Sequence, residues 1–307
     1  MMRLTYIFGA LFGLVLVMTY PLILHLGDFI PGFYSTDETY AILWDSWRIK
    51  YCFLQASSLL QTNLISYPFG VDLYSSAYIS YLQQGVIHLL SFISTPVITY
   101  NLQVIFNLFL SAVFSYILVF YLTGNRLSAF FSGIIFAFSP YQFIRAWQHL
   151  GLTYNQWLPL CLFTAILLKE KQGPRAFLFF LGSLLLLLSF DFSVMYFGAV
   201  SLAAFIIYAI FSGWRSLSYK NKEAFKKEIK FINPILAAWL VEVLILLPHF
   251  FPVIKNRFKI STNTAASVFN AYNRPFEDLF TQSAKPLSYF LPSVSHPVFG
   301  RFTEQFI

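Results

Sequence analysis

Apolar and polar residues alternate along this chain in long blocks. Residues 4–26 read LTYIFGALFGLVLVMTYPLILHL, and comparable apolar runs cover 97–123, 127–143, 153–168 and 231–254. A bilayer core about 30 Å thick is crossed by roughly 17–25 apolar residues in a helix, so each run predicts a span. Residues 176–211 form one run of 36, broken only by Asp191. As a single helix it would measure about 54 Å, too long for one crossing. It is therefore read as a hairpin of two short helices turning at Ser189–Ser193. The count is seven spans, in an all-α membrane protein.

Between the first and second spans lies a loop of 70 residues, Gly27 to Pro96. Tyr40, Leu43, Trp44, Trp47, Tyr51 and Leu54 recur in it at helical spacing, with Asp45, Arg48 and Lys50 between them. This predicts an amphipathic helix lying in the membrane interface. A second is predicted over 77–93, with Ile79, Leu82, Val86, Leu89 and Ile93 on one side. Tyr67-Pro68-Phe69-Gly70 reads as a turn between them. Residues 1–254 thus form a seven-span module, with 27–96 as its first outer loop. Residues 255–307 form a polar outer segment, read as the start of a further region of a longer chain. Residues 3–20 resemble a signal peptide, but no A-x-A site follows and the apolar run continues, so a retained span is expected. Gly9 and Gly13 form a GxxxG that allows close helix contact.

Composition agrees with the blocks. Apolar residues make up 58% and charged residues 11%, with 37 Phe and a net charge of +7. Soluble proteins carry about 25% charged residues. Two cysteines, Cys52 and Cys161, exclude a disulfide scaffold. With the N-terminus in the cytoplasm, the inner segments hold Arg3, Arg126, Lys169, Lys171, Arg175, Arg215, Lys220, Lys222, Lys226, Lys227 and Lys230. Against them stand Glu170, Glu223 and Glu228 alone. The first outer loop holds Asp28, Asp37, Glu38, Asp45 and Asp72 against Arg48 and Lys50. Basic residues belong on the cytoplasmic side, so the positive charge reports topology and not a nucleic-acid partner.

Candidate chemistry falls on polar residues near the outer surface. Adjacent Asp37 and Glu38 suit a general base or a divalent cation. They equally suit a helix N-terminus capped by Thr36 or Asp37. Arg145 and His149 suit a phosphate, by charge and by hydrogen bonding. The same stretch also reads as an interface belt, with Trp147 and Trp157 at headgroup level. Asp191, at the hairpin tip, is an ionisable group near bilayer depth or a solvated turn residue. Glu242 lies mid-span, with His249 on roughly the same helical face. Asp72 is a further turn candidate. Walker A, G-x-G-x-x-G, G-x-S-x-G and H-E-x-x-H motifs do not occur.

An ordered set of motifs carries a resemblance. Asp37 precedes ILWDSW (Ile42–Trp47), then come YPFGVDL (Tyr67–Leu73), GIIFAFSPYQF (Gly133–Phe143), QHLGL (Gln148–Leu152) and QWLPL (Gln156–Leu160). From Tyr20 to Phe211 the chain resembles bacterial membrane glycosyltransferases of the GT-C type, relatives of protein O-mannosyltransferases and aminoarabinose lipid A transferases. The resemblance implies a seven-span module and a long first outer loop. It implies transfer of a sugar from a polyprenyl-phosphate carrier to an acceptor hydroxyl at the outer face of the plasma (bacterial inner) membrane. Asp37 matches the place of the catalytic acid. Glu38, Arg145, His149 and Asp191 would bind substrate, and a divalent cation, if used, would sit on Asp37, Glu38 and Asp191. Sugar, acceptor and metal dependence stay open. Two other classes remain: a transporter or flippase, for which Glu242 is the mid-membrane acid, and a non-catalytic membrane scaffold.

Overall fold

A computed structural model describes residues 4–32, 37–59, 61–73, 81–190, 203, 206–208, 210–212, 214–215, 230–248, 251, 276, 301 and 305. Its contacts divide the chain into Met1–Val253 and Ile254–Ile307. The first unit contains the helices discussed here: α1 (Leu4–Met18), α2 (Asp37–Leu54), α3 (Tyr81–Ile93), α4 (Pro96–Thr123), α5 (Arg126–Ala137), α6 (Pro140–Gln148), α7 (Trp157–Lys171), α8 (Pro174–Phe190) and α9 (Lys230–Pro248). A two-stranded antiparallel ribbon, β1 (Gln61–Thr62) with β2 (Val71–Asp72), lies between α2 and α3. The protein is mostly helical, as an all-α membrane protein should be.

Four helical stretches among the described residues are long and apolar enough to cross a membrane: Pro96–Thr123, Arg126–Trp147, Leu150–Lys171 and Lys230–Pro248. Leu4–Met18 and Pro174–Leu188 are apolar but shorter. The expected first span therefore contracts. Pro21 lacks an N–H, and beyond Met18 the chain turns into a short 3-10 helix, Leu22–His25. The turn expected at 189–193 does not begin at Ser189: Ser189 and Phe190 still belong to α8, and Asp191 to Ser193 and most of the helix after them lie outside the described residues.

Helix α4 is the hub, and its ends are written in its sequence. Thr95 caps it, its Oγ1 accepting from Ile98 N at 3.3 Å, and Pro96 occupies the first turn. Gly124 ends it in a left-handed conformation (φ 65°), donating to the Phe120 carbonyl at 2.8 Å. Asn125 then starts α5, its Oδ1 accepting from Leu127 N and Ser128 N. The two helices pack so closely that a Cβ on Gly133 would lie 2.7 Å from the Ala112 carbonyl oxygen. By contrast, a Cβ on Gly9 or Gly13 would meet nothing within 4 Å, so that GxxxG is not a packing seam among the described residues.

The expected third span is two helices. Ser139 is extended before Pro140 (ψ 148°), as the residue before proline prefers, and this separates α5 from α6. Three apolar clusters join the elements. Val15, Ile42, Ile49, Ile87, Val104 and Leu108 link α1, α2, α3 and α4. Ile7, Leu11, Ala112, Tyr116 and Ala129 link α1, α4 and α5. Cys161, Ala165, Phe180, Leu184, Phe231 and Ile235 link α7, α8 and α9.

Both helices expected between the first and second spans are present, as α2 and α3. On α2, Thr39, Ile42, Ser46, Ile49 and Cys52 are buried. Tyr40, Trp47, Tyr51 and Leu54 of the anticipated apolar stripe are exposed by the protein alone. Arg48, assigned to a polar face, is 2% exposed. It pairs with Asp45 (2.9 Å), donates to the Leu59 carbonyl (2.7 Å) and lies over the Trp44 ring. On α3, Ile87 and Ser91 are buried while Leu89 and Ile93 are exposed.

Candidate functional site

The C-terminal end of α1, the start of α4 and the end of α6 converge on the segment that leads into α2. Asn101 Nδ2, buried on α4, donates to the carbonyls of Leu26 (2.9 Å) and Phe29 (2.6 Å). Tyr100 donates from its hydroxyl to the Ala146 carbonyl (3.2 Å), which ties α4 to α6. Gly32 adopts φ +125°, and a Cβ there would lie 2.1 Å from the Trp147 carbonyl oxygen. Only glycine fits that approach. The segment around Gly32 is thereby pressed against the end of α6.

Under this junction lies a cavity of about 480 Å³. Met18, Pro21, Leu22, Phe29, Ile30, Val104, Leu108, Phe143 and Trp147 make it mainly apolar, and His25, Tyr20 and Thr19 add polar groups. Its size falls in the usual range for small-molecule sites, about 300–1,000 Å³.

Two of the anticipated site residues meet at one turn. His149 closes α6, its N–H donating to the Arg145 carbonyl at 2.8 Å, and its own carbonyl accepts from Leu152 N at 2.9 Å. Both side chains are half-buried, and the Arg145 guanidinium stands 5.5 Å from the Tyr141 ring centre. Trp147 faces the cavity. Trp157, at the start of α7, packs against Phe114, ring centres 5.9 Å apart.

Asp37 and Glu38 form the first turn of α2. Their side chains, like Asp191 and His249 entirely, lie outside the described residues. Chain length still bounds Asp37. It is five residues beyond Gly32, and five residues span at most about 18 Å. Asp72 is in β2, opposite Gln61. Among the described residues, no three His, Cys, Asp or Glu side chains gather as metal ligands.

A second polar system, beyond the acids and bases singled out above, runs along α4. Thr99, Gln103, Asn107, Ser111 and Ser115 repeat every four residues and are all buried. Thr99 meets Ser94 (2.8 Å), and Gln103 Oε1 accepts from the Tyr154 hydroxyl (2.6 Å). Asn107 donates to Thr153 Oγ1 (2.7 Å) and accepts from Gln156 Nε2 (3.1 Å). Ser111 accepts from Gln142 Nε2 (3.3 Å), and Ser115 meets Ser132 (2.8 Å). The signal was present as polar residues at positions i and i+4 within an apolar run. Interhelical hydrogen bonds of this kind hold membrane helices together.

Glu242, midway along α9, has 0% exposure, and neither carboxyl oxygen has a hydrogen-bond partner among the described residues. It lies within electrostatic range of Cys161. No family model, curated protein or solved structure matches the chain.

Proposed function

We propose that this protein transfers a sugar from a polyprenyl-phosphate donor to an acceptor hydroxyl at the outer face of the membrane. The observation that supports this reading best is the Gly32–Trp147 junction over an apolar cavity. An isoprenoid chain suits such a cavity, and Ala146 and Trp147 of its lining lie in sequence between Arg145 and His149. In the proposed reaction Asp37 accepts the proton of the acceptor hydroxyl. The hydroxyl oxygen bonds to the anomeric carbon as the bond from that carbon to the phosphate oxygen breaks. The bonding pair leaves with the phosphate, and a single displacement inverts the anomeric centre. Arg145 and His149 stabilise the charge that develops on the phosphate. The N-terminus is cytoplasmic in this reading, and the loop bearing Asp37 faces outward.

The test is transfer of a labelled sugar from a polyprenyl-phosphate donor in proteoliposomes. General-base catalysis contributes about 10²–10⁴-fold, so Asp37→Asn should lose activity on that scale. Full activity of Asp37→Asn would remove the proposed base.

Glu242 favours a second reading, a transporter for a polar or lipid-linked substrate. Buried acids inside membranes commonly mark substrate or ion pathways. In that case Glu242→Gln abolishes flux across the vesicle wall, while sugar transfer is absent in the unaltered protein. Transfer that persists in Glu242→Gln would sink this second reading.

A further inference from the structure

The β1–β2 ribbon holds two aromatic side chains almost wholly clear of the protein. Tyr67 is 84% exposed and Phe69 92%, and Leu64 and Ile65 beside them are 45% and 38% exposed. This exposure comes from a built turn. The ladder pairs Gln61 with Asp72 and Thr62 with Val71. Gly70 (φ +70°) donates to the Ser66 carbonyl at 3.0 Å, and Ser66 itself has φ +56°. A Cβ on Gly70 would lie 2.1 Å from Asn63 Oδ1 and 2.8 Å from the Thr62 carbonyl oxygen, so the turn closes on itself around that glycine. Leu64 N donates to Thr62 Oγ1 at 3.2 Å. At the base, buried Arg48 anchors the approach through the Leu59 carbonyl. Two left-handed residues and a buried arginine thus fix a tip whose large side chains touch little of the protein.

The chemistry of the tip selects its partner. From Tyr51 to Val71, 21 residues carry no Asp, Glu, Lys, Arg or His. A protein partner steered by charge would find none to pair with here. Tyr and Phe are side chains suited to the headgroup boundary, where an apolar ring meets a wet edge. Exposed apolar groups continue down the same uncharged stretch at Phe53, Leu54 and Leu59. The chain's own spans also keep this loop beside a bilayer, so lipid is always within reach.

We propose that the Leu64–Phe69 tip inserts into the bilayer leaflet on its own side, as a second, loop-borne membrane anchor separate from the spans. The inference is independent of sugar transfer and holds for a transporter equally. The test attaches an environment-sensitive fluorophore to Phe69→Cys, and separately to Tyr67→Cys, in the full chain reconstituted in phosphatidylcholine vesicles. Cys52 and Cys161 are both buried, so the introduced thiol is the accessible one. Because both positions face away from the core, the fold should tolerate either change. The expected result is a blue-shifted emission that loses most of its intensity when the vesicles contain lipids nitroxide-labelled near the headgroup. A water-like emission at both positions overturns the proposal. A blue-shifted emission indifferent to nitroxide lipids also overturns it, because the tip would then be covered by protein.

Discussion

Asn107 is the best place to measure what the buried polar system contributes. Asn107→Val removes two interhelical hydrogen bonds, the donation to Thr153 and the acceptance from Gln156. Such bonds average about 0.6 kcal/mol in membrane proteins, with a maximum of about 1.7. Two of them give a loss between about 1.2 and 3.4 kcal/mol. The lower half of that range is favoured for Thr153, which retains its donation to the Leu150 carbonyl (2.7 Å). Gln156 is worse placed, because its Oε1 already lacks a partner among the described residues and its Nε2 would lose the bond to Asn107. An unsatisfied buried amide costs about 1–3 kcal/mol. The measurement is reversible unfolding in bicelles for Asn107→Val, Gln156→Leu and the double variant. The double variant should be less destabilised than the sum of the singles, by at least about 0.6 kcal/mol. Independent sites add to within about 0.3–0.5 kcal/mol. Additivity within that margin would refute the account of Asn107 and Gln156 as one unit.

Three glycines provide further expectations. Gly32→Ala forces a Cβ to within 2.1 Å of the Trp147 carbonyl oxygen at φ +125°, and should cost about 1–3 kcal/mol or more, read as a fall in unfolding temperature. Gly133→Ala places its Cβ 2.7 Å from the Ala112 carbonyl oxygen and should separate α4 from α5 at a cost of about 1–3 kcal/mol. Gly9→Ala meets open space, and in the same assay should be neutral or stabilising by up to about 1 kcal/mol. A Gly9→Ala protein as unstable as Gly133→Ala would contradict the assignment of the close seam to α4 and α5.

What could be read from the sequence depended on whether the signal was local. Helix α4 was legible to within one residue, the apolar run 97–123 matching Pro96–Thr123, and its cap residues Thr95 and Gly124 act without distant partners. Apolar runs located the other long helices but not their breaks. Pro21 and Pro140 interrupt runs that remain apolar on both sides, so hydropathy alone bridged them. On α2 the spacing marked an apolar stripe, and the protein leaves four of its six residues exposed, Tyr40, Trp47, Tyr51 and Leu54. At a membrane interface, apolar residues have two places to go, protein and lipid, and periodicity does not distinguish them. Arg48 turned inward because Asp45, the Leu59 carbonyl and Trp44 meet it there, and that environment is assembled only in three dimensions. Arg145 and His149 shared a turn that their four-residue separation already implied. The meeting of Gly32 with Trp147 joins parts of the chain 115 residues apart and has no local signature.

The four-residue stripe on α4 also sets how the helix can be inserted. An apolar helix among apolar neighbours can slide along its axis with little change in energy, since every level looks like the next. Moving α4 by one step of the stripe would displace it by about 6 Å and bring each polar group opposite its neighbour's partner. The groups are of unequal length: Gln103, then Asn107, then Ser111 and Ser115. Each reaches a partner set at its own distance, from the Tyr154 hydroxyl to the Ser132 side chain. A shifted helix would therefore leave long side chains crowded and short ones out of reach. The stripe works as a graded key, and the lock it fits has one vertical position in the membrane.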